Sequence, residues 1–168
     1  KKNILYNPQA DDSISKRTII KGESTGLFNL GEVKYPWTKQ MYQIMVGNFW
    51  VPEKVSGLGD DAIQYAKLTD DERRAYKGII SFLTFLDSIQ TVNLPNLSDF
   101  VTSSDVNLLL SIQSFQEAIH SQSYTTILET VVDAKERNDI YYYWRDDEVL
   151  LKRNQYIGDI YQRFLDDP

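Results

Sequence analysis

The chain contains no cysteine and only one histidine, His120, in 168 residues. The first absence excludes disulfide frameworks, thiolate zinc sites and cysteine nucleophiles. The second excludes any mechanism that needs two imidazoles from this chain alone. Basic residues are also in deficit: 18 Lys+Arg against 24 Asp+Glu give a net charge of −6. The basic face on which nucleic-acid binding depends is therefore missing. No apolar run approaches the roughly 18 residues of a membrane span. The opening residues, Lys1 to Pro8, carry neither the apolar stretch nor the small-residue cleavage site of a secretory signal, which by default points to the cytoplasm. Neither a nucleic acid nor a membrane is expected as a partner.

What is present is aromatic, with 11 Tyr, 7 Phe and 3 Trp, enough to build a core and to serve interfaces through the polar tips of Tyr and Trp. The length fits about one domain. Residues 1–34 read as an extended N-terminal arm, with turn chemistry at Lys21-Gly22-Glu23-Ser24-Thr25-Gly26. Residues 35–168 read as helical. Pro36 suits a first helical turn, and Trp37, Met41, Ile44, Met45 and Phe49 follow at near-helical spacing until Pro52.

Thr69-Asp70-Asp71-Glu72 has the form of a capping box. The next helix should run to about Val92, on the period of Ala75, Ile79, Ile80, Leu83, Leu86 and Ile89, and stop at Pro95-Asn96. A second long helix is expected over about 104–132, with Leu108, Leu109, Ile112, Phe115, Ala118, Ile119, Ile127, Leu128 and Val131 as its apolar set. A last helix is expected over about 147–165. No trustworthy strand alternation or internal repeat occurs. The class is all-α, a bundle with two long central helices.

Three ionisable residues interrupt these buried patterns: Asp87 in the first long helix, Glu117 and His120 in the second. Such positions are costly unless the group is paired or metal-bound. Glu117 and His120, at i and i+3, project from one face roughly 60° apart, and Tyr124 lies one turn beyond. Glu-x-x-His on a bundle helix is the inward pair of carboxylate-bridged dinuclear iron and manganese proteins. Hard carboxylate oxygens balance two cations and imidazole completes each one. The plain alternatives are a hydrogen-bonded core histidine with Glu117 as partner, a core phenol at Tyr124, and Trp50 as an anchor at a helix end. Tyr141-Tyr142-Tyr143-Trp144 carries no assigned chemistry. Asp70-Asp71-Glu72-Arg73-Arg74 reads as a solvated helix start.

Four segments, in order and spacing, carry a family resemblance: Lys34-Tyr35-Pro36-Trp37, Asn48-Phe49-Trp50-Val51-Pro52-Glu53, Phe85-Leu86-Asp87-Ser88-Ile89-Gln90 and Glu117-Ala118-Ile119-His120-Ser121-Gln122-Ser123-Tyr124. Together, over about residues 17–132, they resemble the small, radical-generating subunit of class I ribonucleotide reductase. The resemblance implies a ferritin-like helical bundle, about half of it on this chain. It implies a dinuclear iron or manganese cofactor, iron ahead of manganese. Asp87 would be a terminal carboxylate of the first metal, His120 its imidazole and Glu117 a bridging carboxylate. Tyr124 would be oxidised to a stable radical after dioxygen is reduced at the metal pair. Trp50 would start the relay to a large catalytic subunit that makes deoxyribonucleotides. Tyr at 124 and Asp at 87, where some relatives have Phe and Glu, favour the tyrosyl-radical type.

The family site takes four carboxylates and two histidines, and the residues aligned here number three. The other three ligands are expected from the remaining half of the small subunit, in the same precursor or as a separate chain. Two copies of this chain about a twofold axis are the less favoured arrangement. A small-subunit dimer is also expected. Two further classes remain: a ferritin-like dinuclear oxidase or oxygenase without radical export, and a metal-free helical interaction module.

Overall fold

Asp70, Asp71 and Glu72 open a 29-residue helix because Thr69 and Glu72 close on each other. The Glu72 amide donates to Thr69 Oγ1 at 3.3 Å, and the Thr69 amide donates to Glu72 Oε2 at 2.7 Å. This reciprocal cap satisfies two of the amide donors that a helix N-terminus leaves without partners. In the computed structural model, which describes residues 2–168, the helices are α1 (Trp37–Gly47), α2 (Leu58–Tyr65), α3 (Asp70–Ser98), α4 (Ser104–Val131), α5 (Ala134–Asp146) and α6 (Glu148–Asp166), with one 3₁₀ turn at Pro52–Lys54. Among the described residues the only extended pairing is an isolated bridge between Ile20 and Val101. The all-α class therefore holds. Among the described residues no helix is long and apolar enough to cross a membrane.

The chain divides into two compact units, one of residues 2–49 (of those described), 91–116 and Pro168, the other of residues 50–90 and 117–167. In the first, residues 2–34 contain no helix, and their backbone groups find partners in the 99–103 connection instead. The Thr102 amide donates to Ile19 O at 2.8 Å, Thr102 Oγ1 to Thr18 O at 2.8 Å, and the Gly22 amide to Thr102 Oγ1 at 3.1 Å. Arg17 is buried, with Nε donating to Asp12 O and Oδ1 at 2.9 and 3.0 Å. Gly26 has φ +88°, and a Cβ there would sit 2.6 Å from Leu5 O, so the turn tolerates only glycine.

Pro95 does not stop α3, contrary to the sequence expectation; it lies inside the helix. Proline removes the amide that would donate to the carbonyl four residues back, here Thr91 O. Ser114 Oγ of α4 donates to that carbonyl at 3.3 Å, which offsets part of the loss and lets the helix continue to Ser98. Phe115, expected in the α4 apolar set, is 53% exposed and stacks on Phe49, ring centroids 5.6 Å apart. Position 115 shares its side of α4 with Ser111, Ala118 and Gln122, all exposed.

In the second unit the core is Tyr65, Ile80, Leu128, Val131, Val132 and Ile140, with Leu128 and Ile140 fully buried. Tyr76, Tyr124, Ile127 and Tyr141 pack against it. Two helices in this unit, α2 and α5, were not anticipated from the sequence. The signal for α5 is Asp133, whose carboxylate accepts the Lys135 and Glu136 amides, both at 2.9 Å. Ser81, wholly buried on α3, accepts the Trp144 amide of α5 at 2.9 Å.

Candidate metal centre

Asp87 reaches the centre because α3 keeps its 3.6-residue period past Phe85 and Leu86; Glu117, His120 and Tyr124 reach it along one face of α4. One ligand atom from each of Asp87, Glu117 and His120 lies within 4.8 Å of the others. His120 Nδ1 is 3.2 Å from Glu117 Oε2 and 3.6 Å from Asp87 Oδ2. The Tyr124 hydroxyl donates to Asp87 Oδ2 at 2.8 Å. The two carboxylates are largely buried, with side-chain exposures of 14% and 16% against 34% for His120.

Burial pushes the Asp87 carboxyl above its ordinary range, and neither the hydrogen bond from Tyr124 nor the nearby imidazole brings it back. The Tyr124 phenol is also pushed well up, first by burial, then by its hydrogen bond to Asp87 and the charges of Asp87 and Glu117. Its proton therefore stays on oxygen at every physiological pH. Ser123 Oγ, fully buried, donates to Ile119 O at 2.6 Å.

Trp50 arrives from a different part of the chain. Its indole stacks on the His120 ring, centroids 5.7 Å apart and planes 22° from parallel. All five residues singled out from the sequence thus belong to the second unit and form one contiguous group. The contact between Trp50 and His120, seventy positions apart, carries no sequence signal.

The donor set suits a hard divalent cation of the iron or manganese type: two carboxylate oxygens and one imidazole nitrogen. Donors about 2.1 Å from one ion lie roughly 3–4 Å from one another, and the 3.2 and 3.6 Å separations fall in that range. Three protein donors leave coordination positions open, so the group fits as part of a larger site.

A second buried phenol–carboxylate pair was missed from the sequence. Tyr65 donates to Glu136 Oε1 at 2.8 Å, and Lys77 Nζ lies 2.7 Å from the same oxygen. The Arg73 guanidinium sits 5.3 Å from the Tyr65 ring centroid, and Tyr76 packs at 5.0 Å.

Residues 27–168 match the family model described as "Ribonucleotide reductase, small chain". Over 99% of its length the chain is 46% identical to the ribonucleoside-diphosphate reductase subunit beta of Treponema pallidum, covering 47% of that protein. A solved ribonucleotide reductase R2 subunit from Clostridium botulinum superposes on 100% of the chain with a TM-score of 0.93 and 44% identity, over 52% of its own length. A dimanganese(II)-NrdF from Streptococcus sanguinis shares the fold at TM-score 0.73 and 22% identity, over 81% of this chain and 48% of that one. The chain spans about half the length of these relatives. The ferritin-like assignment is borne out by these likenesses.

Proposed function

The chain belongs to the ribonucleotide reductase small-chain family, and from that membership we propose what its carboxylate–histidine cluster does. Asp87, Glu117 and His120 hold one metal of a dinuclear iron or manganese pair, iron ahead of manganese, and Tyr124 stores the oxidising equivalent as a tyrosyl radical. The remaining half of the small subunit supplies the other three ligands. The complete subunit forms a dimer in the cytoplasm and passes the equivalent to a large subunit that makes deoxyribonucleotides. The observation that carries this reading is the 2.8 Å hydrogen bond from the Tyr124 hydroxyl to Asp87 Oδ2, inside the cluster.

When bound, the metal pair supplies dioxygen reduction and so a one-electron oxidant. The protein's part follows from its own atoms. The phenol cannot ionise beforehand, because burial and Asp87 hold its proton on oxygen. Loss of an electron from Tyr124 is therefore coupled to movement of that proton to Asp87 Oδ2 along the existing hydrogen bond. Packing of Tyr124 against the Leu128–Val131 core keeps water and reductants from the ring. Trp50, stacked on His120 and 39% exposed, offers the route outward.

Full-length subunit loaded with iron or manganese in air should show a sharp tyrosyl signal in electron paramagnetic resonance. Tyr124→Phe should abolish it, and survival of the same signal in that variant would sink the assignment. Trp50→Phe should keep the signal but lose turnover with the large subunit. Full turnover in that variant would favour an oxidase without radical export.

A further inference from the structure

Within the second unit a cleft of about 570 Å³ separates the N-terminal half of α3 from the junction of α5 and α6. Ligand pockets commonly fall between roughly 300 and 1,000 Å³ with apolar walls and a few polar anchors. The walls here are Phe82 and Tyr143, with Ile79 and Val149 beside them. Ile79 and Val149 are 58% and 65% exposed, which is costly for branched aliphatic side chains in water. Ile79 had been expected in the core from its period, yet it faces the cleft.

The floor contains Gly78, inside α3. Glycine costs about 1 kcal/mol relative to alanine in a helix interior. A Cβ at Gly78 would meet only Tyr143 Cε1, at 3.7 Å, an ordinary contact. Packing therefore does not demand glycine, and the missing methyl widens the cleft between α3 and the Tyr143 ring.

The polar anchors are Arg74 and Arg153. The ion pairs that arginines make among the described residues are Arg17–Asp12 and Arg137–Glu129, so both cleft guanidiniums keep their donors for another anion. The Arg153 guanidinium lies over the Phe82 ring, 5.7 Å from its centroid, so the cation sits on the apolar wall. Two carboxylates also line the cleft. Asp147 is engaged as the cap of α6, accepting the Val149 and Leu150 amides at 3.0 Å each, and Asp71 lies in the first turn of α3; both complement helix N-termini.

We propose that this cleft binds a small amphiphilic anion, an aryl phosphate or aryl carboxylate. Its ring packs on the apolar lining that Phe82 and Tyr143 share, and its oxygens meet the guanidiniums of Arg74 and Arg153. Charge-assisted pairing of arginine with an oxyanion fixes the head group, and the apolar walls take the body. This site is separate in residues and chemistry from the metal cluster, and stands or falls independently of it.

The test uses full-length subunit and three probes, phenyl phosphate, inorganic phosphate and phenol, followed by calorimetry and by the methyl resonances of Ile79 and Val149. Phenyl phosphate should bind saturably and shift both methyls, while each half-probe binds at least about tenfold more weakly, since each lacks one of the two anchoring contributions. The double variant R74Q/R153Q should weaken phenyl phosphate by at least about tenfold. G78L should abolish binding while metal content stays at the parent value, showing that the fold persists. Absence of saturable phenyl phosphate binding up to the order of 10 mM, or equal binding in R74Q/R153Q, overturns the proposal.

Discussion

Two phenol–carboxylate pairs in one unit make hydrogen bonds of equal length in different surroundings. Tyr124 donates to Asp87 at 2.8 Å and Tyr65 donates to Glu136 at 2.8 Å. Both phenols are pushed well above their ordinary range, first by burial and then by the neighbouring carboxylate. The carboxylates diverge. Burial pushes Glu136 up, but the Lys77 ammonium and the Tyr65 hydroxyl bonded to it outweigh burial and leave it lowered. For Asp87 burial wins, and the carboxyl is raised. A carboxylate supplied with its own ammonium is a finished structural pair. One raised by burial and set against a second carboxylate and an imidazole gains from a cation. The difference lies in the third group of each cluster, not in the hydrogen bond itself.

The largest expected effect separates the pairs by metal content. In full-length subunit Asp87→Ala should weaken metal binding at its half of the site by at least about 100-fold, since even indirect supports of ligands are worth 10–100-fold. Glu136→Ala should leave metal content unchanged; elemental analysis after desalting reads both. A metal loss in Glu136→Ala as large as in Asp87→Ala would erase the distinction.

Stability should reverse that order. Glu136→Gln leaves the Lys77 ammonium without its carboxylate and weakens the bond from the buried Tyr65, at a cost of about 1–3 kcal/mol near neutral pH. The pH dependence follows from the direction of the shift. The folded value of Glu136 is depressed below the ordinary 4.5, so its contribution is present above that value and fades as pH falls through the depressed one. The gap between parent and Glu136→Gln denaturation midpoints should therefore narrow below about pH 4. A gap that widens on acidification would contradict the pairing.

The smallest effect is Tyr65→Phe, expected to cost about 1 kcal/mol through one lost hydrogen bond while leaving the tyrosyl signal intact. Loss of that signal would make the two pairs functionally alike.

Much of this was legible along the chain. The capping box at Thr69–Glu72 and the apolar period after it located α3, and the ionisable interruptions at Asp87, Glu117 and His120 marked the cluster. Those signals are local, carried by backbone caps and a 3.6-residue repeat. Pro95 was misread because the partner that accepts its consequence, Ser114, sits on another helix. Helix α5 was missed because its segment is polar and aromatic without a clear apolar stripe; its order comes from the Asp133 cap and from Ser81 of α3. Residues Tyr65, Lys77 and Glu136 lie on three helices, and no spacing rule joins them.

The order of residues settled the helical class, the absence of a second imidazole and the chemistry available to a metal, because propensity, capping and ligand type are properties of residues and near neighbours. Which carboxylate received an ammonium, which phenol met the carboxylate–histidine cluster and which indole stacked on His120 were settled only when distant segments packed. Those contacts join residues 59, 37 and 70 positions apart, and burial there decides whether a charge is raised, lowered or paired.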